Sequence, residues 1–328
     1  MTGFDLQSPI SRRRALALGG GAMASLGAAG GLAAPVRAAV QHANDVKTLN
    51  PVPLPIADML SALGTNDSIY ANGVLSGKIN RTDLNVTFNP LNVKFTGGFE
   101  VFHLAHFQSL EPNIAMVKGV IAVLPSEANG VIDRLLAKNM SPMAFHQHFT
   151  DESPQLFHIH FRGLGAPLDL AKDTNYVLGA TATPLPYSAP PPSTPLDHKR
   201  IASILGGTAT VGAGGFVLVT IPRKEQLRVL GYPVAPQLGV ETNVQFEPLD
   251  AAGTSAAVAP DFSMVASEID TVFAVQRQNG FLIECLYNQA TDETPQLFFS
   301  HQIATGDPYD LAFKVRKALD HMNMKFKS

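Results

Sequence analysis

Asp151-Glu152-Ser153-Pro154-Gln155-Leu156-Phe157 returns 141 residues later as Asp292-Glu293-Thr294-Pro295-Gln296-Leu297-Phe298. The same spacing pairs Ser126-Glu127 with Ser267-Glu268, Gly165 with Gly306, and Pro167-Leu168-Asp169-Leu170-Ala171 with Pro308-Tyr309-Asp310-Leu311-Ala312. Upstream, Arg81-Thr82-Asp83-Leu84 resembles Arg223-Lys224-Glu225-Gln226. Short segments beginning at Ile56 and Arg200 each end in a glycine, Gly64 or Gly206. So many matches in one register indicate two diverged copies of one unit.

Within the first copy, 115–124 has strand character, and Pro125-Ser126 opens a helix through Lys138 with its apolar stripe on Val131 and Leu135. The alternating runs 144–149 and 156–161 flank an Asp-Glu-Ser-Pro turn, a hairpin signal. Pro167 then sits in the first turn of a helix reaching about Leu178. Strands at 73–79 and 84–88 precede this core, and the second copy repeats it at 264–265, 268–277, 282–287, 297–303 and 308–320. The expectation is an α+β fold, with one mostly antiparallel, helix-covered sheet per copy over 55–182 and 196–321. A single sheet built from both copies is the alternative. The proline-dense stretch 183–195 between them reads as an extended, stiff linker, or as a segment lying on one copy's surface.

Ser11-Arg12-Arg13-Arg14-Ala15-Leu16 opens an Ala-, Gly- and Leu-rich stretch to about Pro35, followed by Val36-Arg37-Ala38. This predicts a twin-arginine signal over residues 1–38, cut near Ala38 or Ala39, and a periplasmic or secreted destination. Glycines interrupt the run, which falls short of the ~20 strongly apolar residues of a stable membrane span. Removing 1–38 leaves 20 basic and 26 acidic residues, a formal charge near −6 with no basic block. Nucleic acid is therefore not an expected partner. A small molecule or an envelope protein is. Cys285 is the only cysteine, so no intramolecular disulfide or thiolate cluster forms, and its apolar surroundings mark it as a buried strand residue.

Four of the ten histidines fall within fifteen residues, in Phe145-His146-Gln147-His148-Phe149 and Phe157-His158-Ile159-His160-Phe161. Residues two apart on a strand share a face. If Phe145 and Phe149 face the core with Phe157, Ile159 and Phe161, the hairpin turns near Ser153. His148 is then opposite His158, and His146 opposite His160. All four imidazoles would lie on the non-core side, able to hold a divalent metal, zinc foremost, with iron, copper and nickel also compatible. A small acidic ligand is a second occupant for the same set. A hydrogen-bonded network, a surface patch or an interface with the second copy are structural alternatives. The equivalent positions in the second copy are Tyr287, Gln289, Phe299 and His301. The scaffold thus does not require imidazoles there, which predicts one active copy beside an inactive one.

Glu127 is a candidate catalytic base and equally a helix-terminus carboxylate, since it recurs as Glu268. His103 and His106 could approach the cluster from a neighbouring strand. Met116, Phe149, Phe298 and Phe299 read as core or pocket wall. No phosphate-cradling glycine loop, nucleophile elbow or HExxH motif is present. If three imidazoles hold the ion, an open fourth place could activate water for hydrolysis or lyase chemistry. Four would favour storage, sensing or structure. The competing class is a non-enzymatic envelope protein whose histidines form a pH-responsive patch. Both classes predict exposed imidazoles.

The segment from Glu127 through Asn139, then His146-Gln147-His148-Phe149, Glu152 and Pro154, and His158-Ile159-His160 to Gly163-Leu164-Gly165, resembles the bacterial LppY/LpqO family, a domain of unknown function. That family shows a His-Asn-His run, Glu-x-Pro, His-Ile-His-Gly-x-Gly and then a Leu- and Ala-rich helix. Gln147 here replaces the Asn, and Phe161-Arg162 stands before the glycine. The duplicated layout over about 55–320 also matches. Several members are lipoproteins. The cleavage region here has no cysteine, so a lipid anchor does not carry over.

Overall fold

The computed structural model describes residues 46–96 and 98–327. The predicted signal over 1–38 lies outside them. The first copy begins with helix α1 (Ile56–Leu63), then strands β1 (Asp67–Ala71), β2 (Val74–Asn80), β3 (Val86–Phe88), β4 (Val93–Phe95), β5 (Phe102–Glu111) and β6 (Ile114–Val123). Helix α2 (Ala128–Ala137), β7 (Ser141–His146), β8 (Glu152–Ser153), β9 (Phe157–Gly165) and α3 (Pro167–Leu178) complete it. The second copy runs α4 (His198–Leu205), β10 (Thr208–Val211), β11 (Val217–Ile221), β12 (Arg228–Val229), β13 (Tyr232–Pro233), β14 (Thr242–Pro248) and β15 (Ala256–Met264). It ends with α5 (Ile269–Gln278), β16 (Leu282–Ile283), β17 (Glu293–Thr294), β18 (Phe298–Gly306) and α6 (Pro308–Leu319).

Each copy forms a six-stranded antiparallel sheet, in the order β1-β2-β5-β6-β9-β7 and its counterpart β10-β11-β14-β15-β18-β16. The α+β expectation therefore holds, with one helix-covered main sheet in each copy and a smaller sheet beside it, and the single-sheet alternative does not. The helices cover one face of each sheet because their apolar residues recur at three and four: Val131 and Leu135 on α2, and Leu311, Ala312, Val315, Ala318 and Leu319 on α6, are all buried. Asp307 caps α6 by accepting from the backbone N–H of Tyr309 and Asp310. Among the described residues no helix is long and apolar enough to cross a membrane.

The uncovered faces of the two sheets meet. Two three-stranded sheets, β4-β3-β8 and β13-β12-β17, fill the space between them. Each packs across onto the other copy: Phe88, Phe95 and Phe149 onto Ala257, Ala259 and Ile303, and Val229, Tyr232 and Leu238 onto Val74, Leu110 and Met116. The described residues form one compact unit in consequence. Within 183–195 there is no helix or strand, but Tyr187 is buried in the first copy's core and bridged to Thr65, and Leu196 just beyond begins the second core.

The hairpin differs from the expectation. His146 pairs with His158, Phe145 with Ile159 and Ala144 with His160, two residues out of the predicted register. After His146 the chain leaves the sheet, and β8 pairs with β3 instead of forming a turn. Phe145 is consequently 53% exposed. Phe149 goes to a different core, 5.0 Å from Phe95 and 5.5 Å from Phe88 between ring centroids. The expected 282–287 strand is regular only at its first two residues, with a single bridge from Tyr287 to Phe299.

Candidate metal centre

His158 and His160 alternate with Ile159 and Phe161 on β9, so the two aliphatic and aromatic partners face the helices and the two imidazoles face the other copy. His146, the last residue of β7, shares their face. His148 lies beyond the strand end, where the excursion toward β8 swings it over β9. Its ring stacks on His158 at 3.3 Å between centroids and stands 5.2 Å from His146. Ligand-capable nitrogens of His146, His148 and His160 lie within 4.8 Å of one another. His158 is left out of that trio.

The cluster is interior, which corrects the expectation of exposed imidazoles. His148, His158 and His160 are buried and His146 half-buried. The second copy provides the cover. Tyr287 stacks on His146 and His301 on His148, each at 3.6 Å between centroids. Tyr287 is the position equivalent to His146, so there corresponding residues of the two copies lie face to face, whereas His301, equivalent to His160, lies against His148. Residues of the second copy thus lie directly against the first copy's imidazoles.

Burial depresses the proton affinity of His146, His148 and His160 well below the ordinary imidazole value and that of His158 to about 3, and neighbouring imidazoles reinforce the effect. All four are neutral at physiological pH. His301 differs. Burial alone would depress it, but Asp261 and Glu100 outweigh burial and hold it well above the usual value. Glu100, buried on the loop before β5, accepts from His148 Nδ1 at 2.9 Å and from the Gln245 amide, and lies 3.4 Å from His301 Nε2. A carboxylate only accepts, so the His148 proton is on Nδ1 and its lone pair on Nε2. Both His146 nitrogens, His148 Nε2, both His158 nitrogens and His160 Nε2 are buried without a hydrogen-bond partner. So is the Tyr287 hydroxyl.

The chain belongs to the family described as a Domain of Unknown Function (DUF1259). The family model matches residues 57–180 and again 199–321, which are the two copies seen in the fold. The second match spans Tyr287, Gln289 and Phe299, so loss of three imidazoles leaves the family's framework recognisable. No curated protein matches the chain.

The structure does not bring Glu127 into the cluster. Its carboxylate takes a bidentate pair from Arg81 at 2.7 and 3.0 Å and also accepts the backbone N–H of Leu124 and Ala182. Glu268 repeats this arrangement with Arg223, Val265 and Asn323. His103 pairs with Ile121 and so shares the helix-covered face, opposite the cluster, bonded to the Thr183 hydroxyl at 2.7 Å. His106 is on the cluster's side of the sheet but bonds Ser76 at 2.7 Å. Cys285 accepts the backbone N–H of His301 and lies beside its ring. Glu100, Gln245, Asp261 and Tyr287 escape a reading of the His motifs, because they come from the other copy or from a loop without a pattern. His301 carried a signal, as the one histidine kept at an equivalent position.

Proposed function

We propose that this protein binds one divalent transition metal, zinc foremost, between its two copies through His146, His148 and His160. The observation that carries this is the set of neutral, buried imidazole nitrogens with no hydrogen-bond partner. Unsatisfied buried polar groups are costly, and a cation accepting one lone pair each from His146, His148 and His160 satisfies three of these six nitrogens. Tetrahedral zinc at about 2.0–2.1 Å from each nitrogen holds ligands closer together than 4.8 Å, within reach of small side-chain rotations. The second trio, Glu100, His148 and His301, fits an ion less well, because its members already bond one another and His301 carries a proton. Three imidazoles leave a further place for water or for the Tyr287 hydroxyl. The interior position supports a held ion with a structural, storage or sensing role over an exposed pH-responsive patch. The likeness of His146-Gln147-His148 and His158-Ile159-His160 to the LppY/LpqO motif supports membership of that narrower group.

Elemental analysis of the native protein and of a His148→Ala/His160→Ala variant tests the reading. One equivalent of metal in the wild type and none in the variant is expected. No metal above background, with no thermal stabilisation by zinc, copper, nickel or reduced iron, would sink it. The arginine motif and apolar stretch of 1–38 also support export by the twin-arginine route. The mature protein is expected to begin near Ala39, and recovery of Met1 or Thr2 by N-terminal sequencing of the exported form would refute that.

A further inference from the structure

We infer that Glu100 is a positioning residue which orients His148 toward the ion, so that the metal centre depends on a carboxylate–imidazole pair found in only one of the two copies. This rests on the metal reading above. Glu100 occupies a left-handed backbone conformation with φ 59°, a region that L side chains other than Asn and Asp seldom adopt. The second copy shows what the fold would place there by default. Glu100 lies three residues before His103, which pairs with Ile79. Gly239 lies three before Thr242, which pairs with Ile221. Ile79 and Ile221 each stand two residues before the matched arginines, Arg81 and Arg223. Gly239 is therefore the counterpart of Glu100, and its φ is 72°. A glutamate has been kept where the backbone favours glycine.

The side chain gives the reason. Glu100 Oε2 accepts the Nδ1 proton of His148, and its other oxygen takes the amide of Gln245 from the opposite copy. The equivalents of His148 and Glu100 in the second copy still touch, but there the Gln289 amide merely donates to the Gly239 carbonyl. The glutamate and the histidine thus occur together or not at all within this chain. Strained backbone maintained by surrounding bonds is a recognised mark of a functional position. A carboxylate on the far nitrogen of a ligating imidazole fixes its tautomer and ring angle and raises its basicity. Here it leaves Nε2 of His148 buried and unpartnered, as the nitrogen free to join His146 and His160 on an ion.

The test uses Co(II) and Zn(II) on the full mature chain, comparing wild type with Glu100→Gln and Glu100→Gly. The glycine variant relieves the backbone conformation and so guards against a simple failure to fold. Zinc affinity from chelator competition is expected to fall 10–100-fold in both, and the cobalt ligand-field spectrum to shift as the His148 ring loses its fixed angle. Affinities equal to wild type, or weaker binding with an unchanged cobalt spectrum, would overturn the inference while leaving the metal reading intact. A wild-type protein that binds neither ion, and none of copper, nickel or reduced iron, would end both, and that result is distinct from the first.

Discussion

At the scale of single residues, two buried glutamates of the first copy, Glu127 and Glu100, do different things. Glu127 and Glu268 serve matched ends of the two copies, each joined to a buried arginine and to two backbone N–H groups. Removing the glutamate leaves Arg81 only the Asp83 carboxylate and Arg223 only that of Glu225, and strands two backbone N–H groups, at a cost of up to about 3–5 kcal/mol. Glu127→Ala and Glu268→Ala are therefore expected to lose similar amounts of stability in denaturant titrations, with zinc affinity of the folded fraction unchanged. A Glu127 variant of wild-type stability that no longer binds zinc would return this residue to the site. Its recurrence as Glu268 was visible in the sequence and offered a helix-terminus role beside a catalytic one; in the structure both carboxylates are taken up by arginine and backbone N–H groups. Glu100 left no comparable trace, since its role is set by a backbone angle and by Gln245 and His301, more than 140 residues away.

Among elements, the β7–β9 pair shows why faces are legible in a sequence when partners are not. Side chains alternate with period two, so a register error of two residues keeps every residue on its predicted face. His146, His158 and His160 share a face as expected, although His146 opposes His158. The excursion that carries His148 could not be read from alternation. Its course is fixed by β8 pairing with Thr87 and Phe88, by Glu152 accepting the Leu156 N–H at 2.9 Å, and by Phe149 lodging beside Phe88 and Phe95. All but the Glu152–Leu156 bond join segments some 55–65 residues apart, and no local pattern announces them. The helices after Pro125 and Pro167 and their counterparts were legible almost to the residue, whereas α1 and α4 showed only as short repeated segments ending in glycine. Pro167 and Pro308 mark their first turns and the apolar stripes run unbroken to Leu178 and Leu319.

In the whole molecule, duplication has produced interdependence in place of two autonomous modules. Each three-stranded sheet buries its apolar side against the other copy, and the imidazoles of the first are capped by Tyr287 and His301 of the second. A copy made alone would expose Val74, Leu110 and Met116, or Phe88 and Phe149, together with the histidine cluster, an apolar patch of the kind that drives association. The fragments 46–195 and 196–327, expressed separately, are expected to be aggregated or loosely folded and to bind zinc weakly. Refolding them together should restore both a cooperative melt and the affinity of the intact chain. Near-ultraviolet circular dichroism and chelator competition on each fragment and on the mixture decide the point. A first fragment that folds alone and binds zinc as tightly as the full chain would show that the second copy is dispensable, and with it the contribution of His301 and Gln245 through Glu100. Failure of the mixture to recover binding while both fragments fold would instead place the requirement in the covalent connection through 183–195.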